Sequence, residues 1–122
     1  MSPELKVGWV AALRSDEYEQ GRGGLRDSEG GHCCIGVLAD LIDPNGWDGW
    51  DGWDERYSDS IGDSWKGQTG SFSREYAESI CLPYAIKTNL ECMNDGIENE
   101  QTGEHFDPCD FEEIADYIEE HL

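Results

Sequence analysis

Apolar positions at the start of the chain recur with helical spacing. Leu5, Trp9, Ala12 and Leu13 fall at i, i+4, i+7 and i+8, one face of a helix. Ser2 is placed to cap it, Pro3 suits the first helical position, and Glu4 suits the positive end. A helix is predicted over 2–14. The glycines at 21, 23 and 24 then oppose its continuation. Leu25-Arg26, a DSEGG turn and His32-Cys33 predict a short hairpin or tight loop.

The next stretch, CIGVLADLID, is apolar on most sides and predicts a buried helix. Gly36 within it would let another element approach closely. Asp43-Pro44-Asn45-Gly46 is a stop followed by a turn. Residues 43–71 lose the pattern altogether and predict a long loop rich in Trp, Gly and Asp. Short helices are predicted over 73–80, with Ser73 as cap, and over 84–93, closed by Asn94-Asp95-Gly96. Residues 97–107 are mostly polar and predict a surface loop. The chain then recovers a clear amphipathic pattern, with Phe111, Ile114, Ile118 and Leu122 on one side and Asp107 or Asp110 as cap.

The expected fold is therefore α+β and mostly helical. It is one small domain over 1–122, with a short hairpin and a long central loop. A chain of 122 residues is long enough to bury a sizeable core without staples. It has no apolar run of transmembrane length and no signal peptide is expected at its start. Five cysteines, with no C-x-x-C pair, predict reduced thiols and a cytoplasmic location rather than a disulfide framework.

Charge changes the picture most. There are 28 acidic and 8 basic residues, a formal net of −20. Residues 1–26 are neutral, with four of each sign, so the whole excess lies beyond them. Direct binding to DNA or RNA is excluded as an expectation, because that affinity comes from Lys and Arg displacing counterions. An acidic surface suits a basic protein partner, a cation or a very salty solvent. Lys stands only at 6, 66 and 87, so salt adaptation accounts for the composition as well as a specific acidic surface does.

Two blocks, WVAALRSDEYEQGRGGLR and HCCIGVLADL, with LECMNDG and FEEIADYIEEHL further on, resemble a small protein family of bacteriophages and plasmids. Its pattern runs roughly W-x-x-A-L-R-S-G-x-Y-x-Q-G-x-G-x-L-R, then C-C-L-G-V-L-C-D-L, then F-x-E-I-A-D-x-I-E. The resemblance covers Trp9 to Leu41 and Leu90 to Glu119. It implies a viral or mobile-element origin and carries over no catalytic residue. The chain departs from the pattern at Asp16, where Gly is usual, at Ala39, where Cys is frequent, and through the middle segment. That middle reads as a lineage-specific insert.

The insert holds GWDGWDGWD, residues 46–54. Asp48, Asp51 and Asp54 are spaced by three. A calcium loop of the EF-hand type spaces its ligands by two, and Trp47 occupies the place of a ligand, so no metal is expected. Trp47, Trp50 and Trp53 share the same period. They are either an aromatic platform for a protein or sugar, or indoles folded back into the core.

His32-Cys33-Cys34 opens the buried helix. A thiolate there would be favoured by the helix N-terminus and activated by a histidine, as a cysteine hydrolase or transferase requires. The alternative is two small buried apolar residues. Cys33, Cys34, Cys81, Cys92 and Cys109 with His32 and His105 contain no pair at zinc-ligand spacing. Arg14, Arg22 and Arg26 flank a glycine turn and would either hold an anion or pair with the acidic surface.

The leading expectation is an accessory protein that binds a basic host or viral protein and mimics nucleic-acid charge. Its carriers would be Glu112, Glu113, Asp116, Glu119 and Glu120 on the last helix, with the three loop aspartates and tryptophans. No cofactor and no membrane partner is expected. The two other readings are the thiol enzyme and a salt-adapted domain with no specific acidic partner.

Overall fold

A computed structural model describes residues 1–21, 24–27, 30–47, 65–68 and 71–122. Among these, five helices carry the fold: α1 (Pro3–Arg14), α2 (Cys34–Ile42), α3 (Arg74–Ser79), α4 (Tyr84–Asp95) and α5 (Phe111–His121). Extended pairing among the described residues is limited to isolated bridges. The domain is mostly helical with minor β content.

The helices begin and end where side chains can satisfy their free backbone groups. Ser2 Oγ accepts from Leu5 N at 3.2 Å. Ser73 Oγ accepts from Tyr76 N at 3.1 Å. Asp110 Oδ1 accepts from Glu113 N at 2.9 Å, which settles the choice between Asp107 and Asp110. Gly96 closes α4 in the left-handed region, at φ 69°. That helix runs two residues past its expected end. Asn94 is not a turn residue but a buried one.

α2 is the centre of the molecule. Cys34 through Ala39 are all buried, with α1 on one side and α4 on the other. α1 and α5 pack along each other and share Trp9, Leu13, Ile114 and Ile118 with the core. Trp9 Nε1 donates to the Cys34 carbonyl at 2.9 Å, so a fully buried tryptophan ties α1 to the first turn of α2. Gly36 is the point of closest approach: a Cβ built there would stand 1.8 Å from the Leu25 carbonyl oxygen.

The predicted hairpin is a small patch of bridges around His32. His32 pairs antiparallel with Arg26 and parallel with Gln20. Its N–H donates to Glu19 O, and its carbonyl accepts from Gly21 N, both at 2.8 Å. The predicted surface loop at 97–107 is a tight turn with a Glu98–His105 bridge. Asn99 is buried in it, with Nδ2 donating to Asn89 Oδ1 at 2.8 Å.

The base of the central segment is also built. Trp47 bridges Trp65, and Lys66 N donates to Gly46 O at 2.8 Å, so residues 47 and 65 lie side by side. Trp65 is fully buried against Phe72 and Tyr76, with Nε1 donating to Asp43 O at 2.9 Å.

Candidate functional site

α5 separates its residues by face. Phe111, Ile114, Ala115 and Ile118 point into the core, while Glu112, Glu113, Asp116, Glu119 and Glu120 are all exposed. The helix spacing thus brings the five predicted carboxylates to one outer surface. Arg14, at the end of α1, reaches into it. Its Nε lies 3.3 Å from Glu112 Oε1, its Nη1 2.8 Å from Glu119 Oε1, and its Nη2 bonds Asp116. The hydrogen bond to Glu119 raises the guanidinium pKa above its ordinary value, and Asp116 adds to the effect against partial desolvation. Three of the five acids therefore already share an internal cation. The three keep side-chain exposures of 65%, 69% and 52%, and they outnumber that cation.

Beside this rim lies a groove of about 520 Å³ along the outer side of α1. Val7, Val10 and Ala11 form its apolar part, and Lys6, Arg14 and Glu119 edge it. Val7 is 68% exposed. Lys6 Nζ donates to the Glu119 carbonyl at 3.4 Å.

The second cluster surrounds His32. Its ring meets Tyr18 and Trp47 edge-on, with centroids 5.2 and 5.5 Å away. Asp40 accepts from both neighbours, from Tyr18 Oη at 2.6 Å and Trp47 Nε1 at 2.9 Å. Burial, followed by the Asp40 carboxylate, pushes the Tyr18 hydroxyl up to about 12. The Arg26 guanidinium covers the Trp47 ring at 4.2 Å. Burial holds the His32 imidazole below its ordinary pKa although Asp40 pulls the other way. Trp47 is thus folded back and hydrogen-bonded, not a free platform. Asp48, Trp50, Asp51, Trp53 and Asp54 lie outside the described residues, as does Arg22.

The thiols are placed as small core groups. Cys33 caps α2, its sulfur accepting from Gly36 N at 3.3 Å, and burial pushes its pKa up to about 12. Cys34 is fully buried, its Sγ directed to Leu90 O at 3.5 Å, and burial raises it well above the ordinary value. Burial outweighs the helix N-terminus, so neither sulfur is poised as a thiolate. His32 turns its ring to Tyr18 and Trp47, and His105 sits in the 97–107 turn, bridged to Glu98. Among the described residues no group of three or more His, Cys, Asp or Glu is arranged to hold a metal ion.

Two polar networks escape a reading by sequence pattern. Asn94 Oδ1 accepts from Gln20 Nε2 at 2.9 Å and Cys34 N at 3.3 Å, and its Nδ2 donates to Gly21 O at 2.9 Å. These three partners are 60 to 74 residues away in the chain, and no local spacing announces them. Lys87, also buried, donates to Glu91 at 2.7 Å, Ser71 Oγ at 3.3 Å and Phe72 O at 3.2 Å. The i,i+4 spacing of Lys87 and Glu91 is the signal that was there to find. Burial raises the Glu91 carboxyl against the pull of Lys87. A Ser–Lys pair suggests a nucleophile and base, but all three ammonium protons of Lys87 are engaged by acceptors. It clamps the 71–72 segment onto α4.

The family model described as "Domain of unknown function (DUF8296)" matches residues 1–122. No curated protein and no solved structure matches the chain. No helix among the described residues is long and apolar enough to cross a membrane.

Proposed function

The chain belongs to the DUF8296 family, and we propose that it is an accessory protein whose acidic surface binds a basic protein partner. The single observation that carries this reading is the outer face of α5, where five exposed carboxylates stand on one rigid helix. Such a row meets Lys and Arg side chains of a nucleic-acid-binding surface at spacings a helix keeps fixed. The resemblance to phage and plasmid proteins supports a host protein, such as a defence factor, as the one blocked. The net charge of −20 favours fast encounter with a basic surface and disfavours nucleic acid itself.

The test is capture of partners on the tagged protein from host lysate, washed at rising salt. A stoichiometric DNA- or RNA-binding protein, released by salt and displaced by duplex DNA, is the expected result. A clean bait at low salt would count decisively against the reading. One observation favours salt adaptation as the second reading: Arg14 already engages Glu112, Asp116 and Glu119 within the chain. Under that reading folding, rather than binding, depends on concentrated salt.

A further inference from the structure

The groove along α1 has features that the fold itself does not use. Pro3, Val7 and Ala11 follow one another at i, i+4 and i+8 on the outer side of the helix, away from the buried Trp9, Ala12 and Leu13. α1 is therefore apolar on two sides, and only one is covered by the described residues. Gly8 lies next to this outer side. Glycine weakens a helix interior, yet a Cβ at Gly8 would meet nothing within 4 Å. Among the described residues no contact requires the missing side chain. It leaves the backbone open to close approach from outside.

We infer that this groove seats an amphipathic, basic helix of the protein partner, an inference that rests on the acidic-surface reading above. Apolar anchors at helical spacing on the partner would lie over Val7 and Ala11, as in helix-in-groove recognition. Its flanking Lys and Arg residues would meet the α5 rim, where Glu112, Asp116 and Glu119 outnumber the local cations Arg14 and Lys6. Charge also selects the occupant. A second copy would bring another net −20 against the first, whereas a basic helix relieves the repulsion among the carboxylates.

The test uses two synthetic peptides of about 18 residues, five helical turns. Both contain only Leu and Lys in the same proportions. One places Leu at helical spacing, and the other is scrambled. Each is titrated into the isotope-labelled full chain, and amide shifts and Kd are read. The amphipathic peptide is expected to bind at least tenfold more tightly, with shifts centred on residues 3–14 and 112–119. Gly8→Gln and, independently, Val7→Ser are expected to abolish that tenfold difference and leave the scrambled peptide's affinity unchanged. Gly8→Gln is also expected to raise the melting temperature, so lost binding cannot be ascribed to lost folding.

Equal binding of the two peptides, unaffected by either variant, would overturn the groove and leave the acidic reading standing. Absence of binding by both peptides would overturn the two together. A dimer in sedimentation that Gly8→Gln dissolves would give the groove to a second copy and overturn the basic-helix inference.

Discussion

The Leu25 carbonyl oxygen lies where a side chain on Gly36 would begin, 1.8 Å from an ideal Cβ. The contact fixes how deeply the segment before the His32 patch sinks onto α2. Gly36→Ala must push backbone against backbone, with no flexible side chain to yield. Overpacking of this kind costs about 3 kcal/mol or more at an unyielding site. Gly8→Ala is the control, a glycine in the open, and is expected to add about 1 kcal/mol. Urea unfolding of the two variants should move the midpoint in opposite directions.

Asp16 follows the end of α1 with φ at 62°, in the left-handed region. An L-residue there costs roughly 1–2 kcal/mol relative to an unstrained backbone, less for Asp than for most. Glycine has no such cost. Asp16→Gly is expected to stabilise the protein by a few tenths of a kcal/mol, roughly 0.5 at most, after its own gain in unfolded-state entropy is set against the relief. A thermal melt that falls would mean that the Asp16 side chain has a role of its own.

The thiols should differ sharply in rate. Cys81 is exposed, whereas Cys33, Cys34 and Cys92 are buried. At neutral pH an aromatic disulfide reagent is expected to modify Cys81 first and to reach Cys33 and Cys34 only when the chain unfolds. Mass mapping of the labelled peptides reads the order. Fast modification of Cys33 or Cys34 in the native protein would revive a thiol enzyme.

Local features were the legible part of this chain. Ser2, Ser73 and Asp110 cap by side-chain chemistry within three residues, and the pattern of α5 exposes its buried stripe directly. Gly36 was legible as a close approach, though not its partner Leu25. Contacts made across the chain were not. Arg14 lies 105 residues from Glu119, and nothing in either neighbourhood specifies that the two helices pack side by side. Asp40 reads as an ordinary acid in a helix, yet it holds both Tyr18 and Trp47. The same gap explains the candidate site. The five acids of α5 could be placed on one face from their spacing, and pairing of Arg14 with the acidic surface was one of its two readings, but which carboxylates it meets could not be read.

Arg14→Met keeps much of the side-chain length and removes the cation. Glu112, Asp116 and Glu119 are then left facing one another. The variant is expected to be less stable than the parent at neutral pH and low salt. The deficit should shrink as salt screens the carboxylates. Adding Glu119→Gln to Arg14→Met should restore part of the loss. Denaturant midpoints at low and high salt check both statements. A deficit that salt leaves untouched would assign Arg14 to packing against α5 rather than to charge.

His32 supplies a pH dependence of its own. Its ring is closed in by Tyr18 and Trp47, with Asp40, Arg26 and Asp27 as the charged groups bearing on it. Burial lowers its folded pKa below the ordinary 6.5, so between the two values the unfolded chain binds the proton and the folded one does not. Stability must then rise with pH across that interval. The contribution of the neutral ring is complete above about 6.5 and is lost as pH falls through the folded value. His32→Phe keeps an aromatic edge against both neighbours and cannot be protonated. It is expected to fold and to flatten the slope of stability between pH 7 and 5. Both proteins would be unfolded in urea at half-unit pH steps. If the variant kept the parent's slope, the proton taken up would belong to another group.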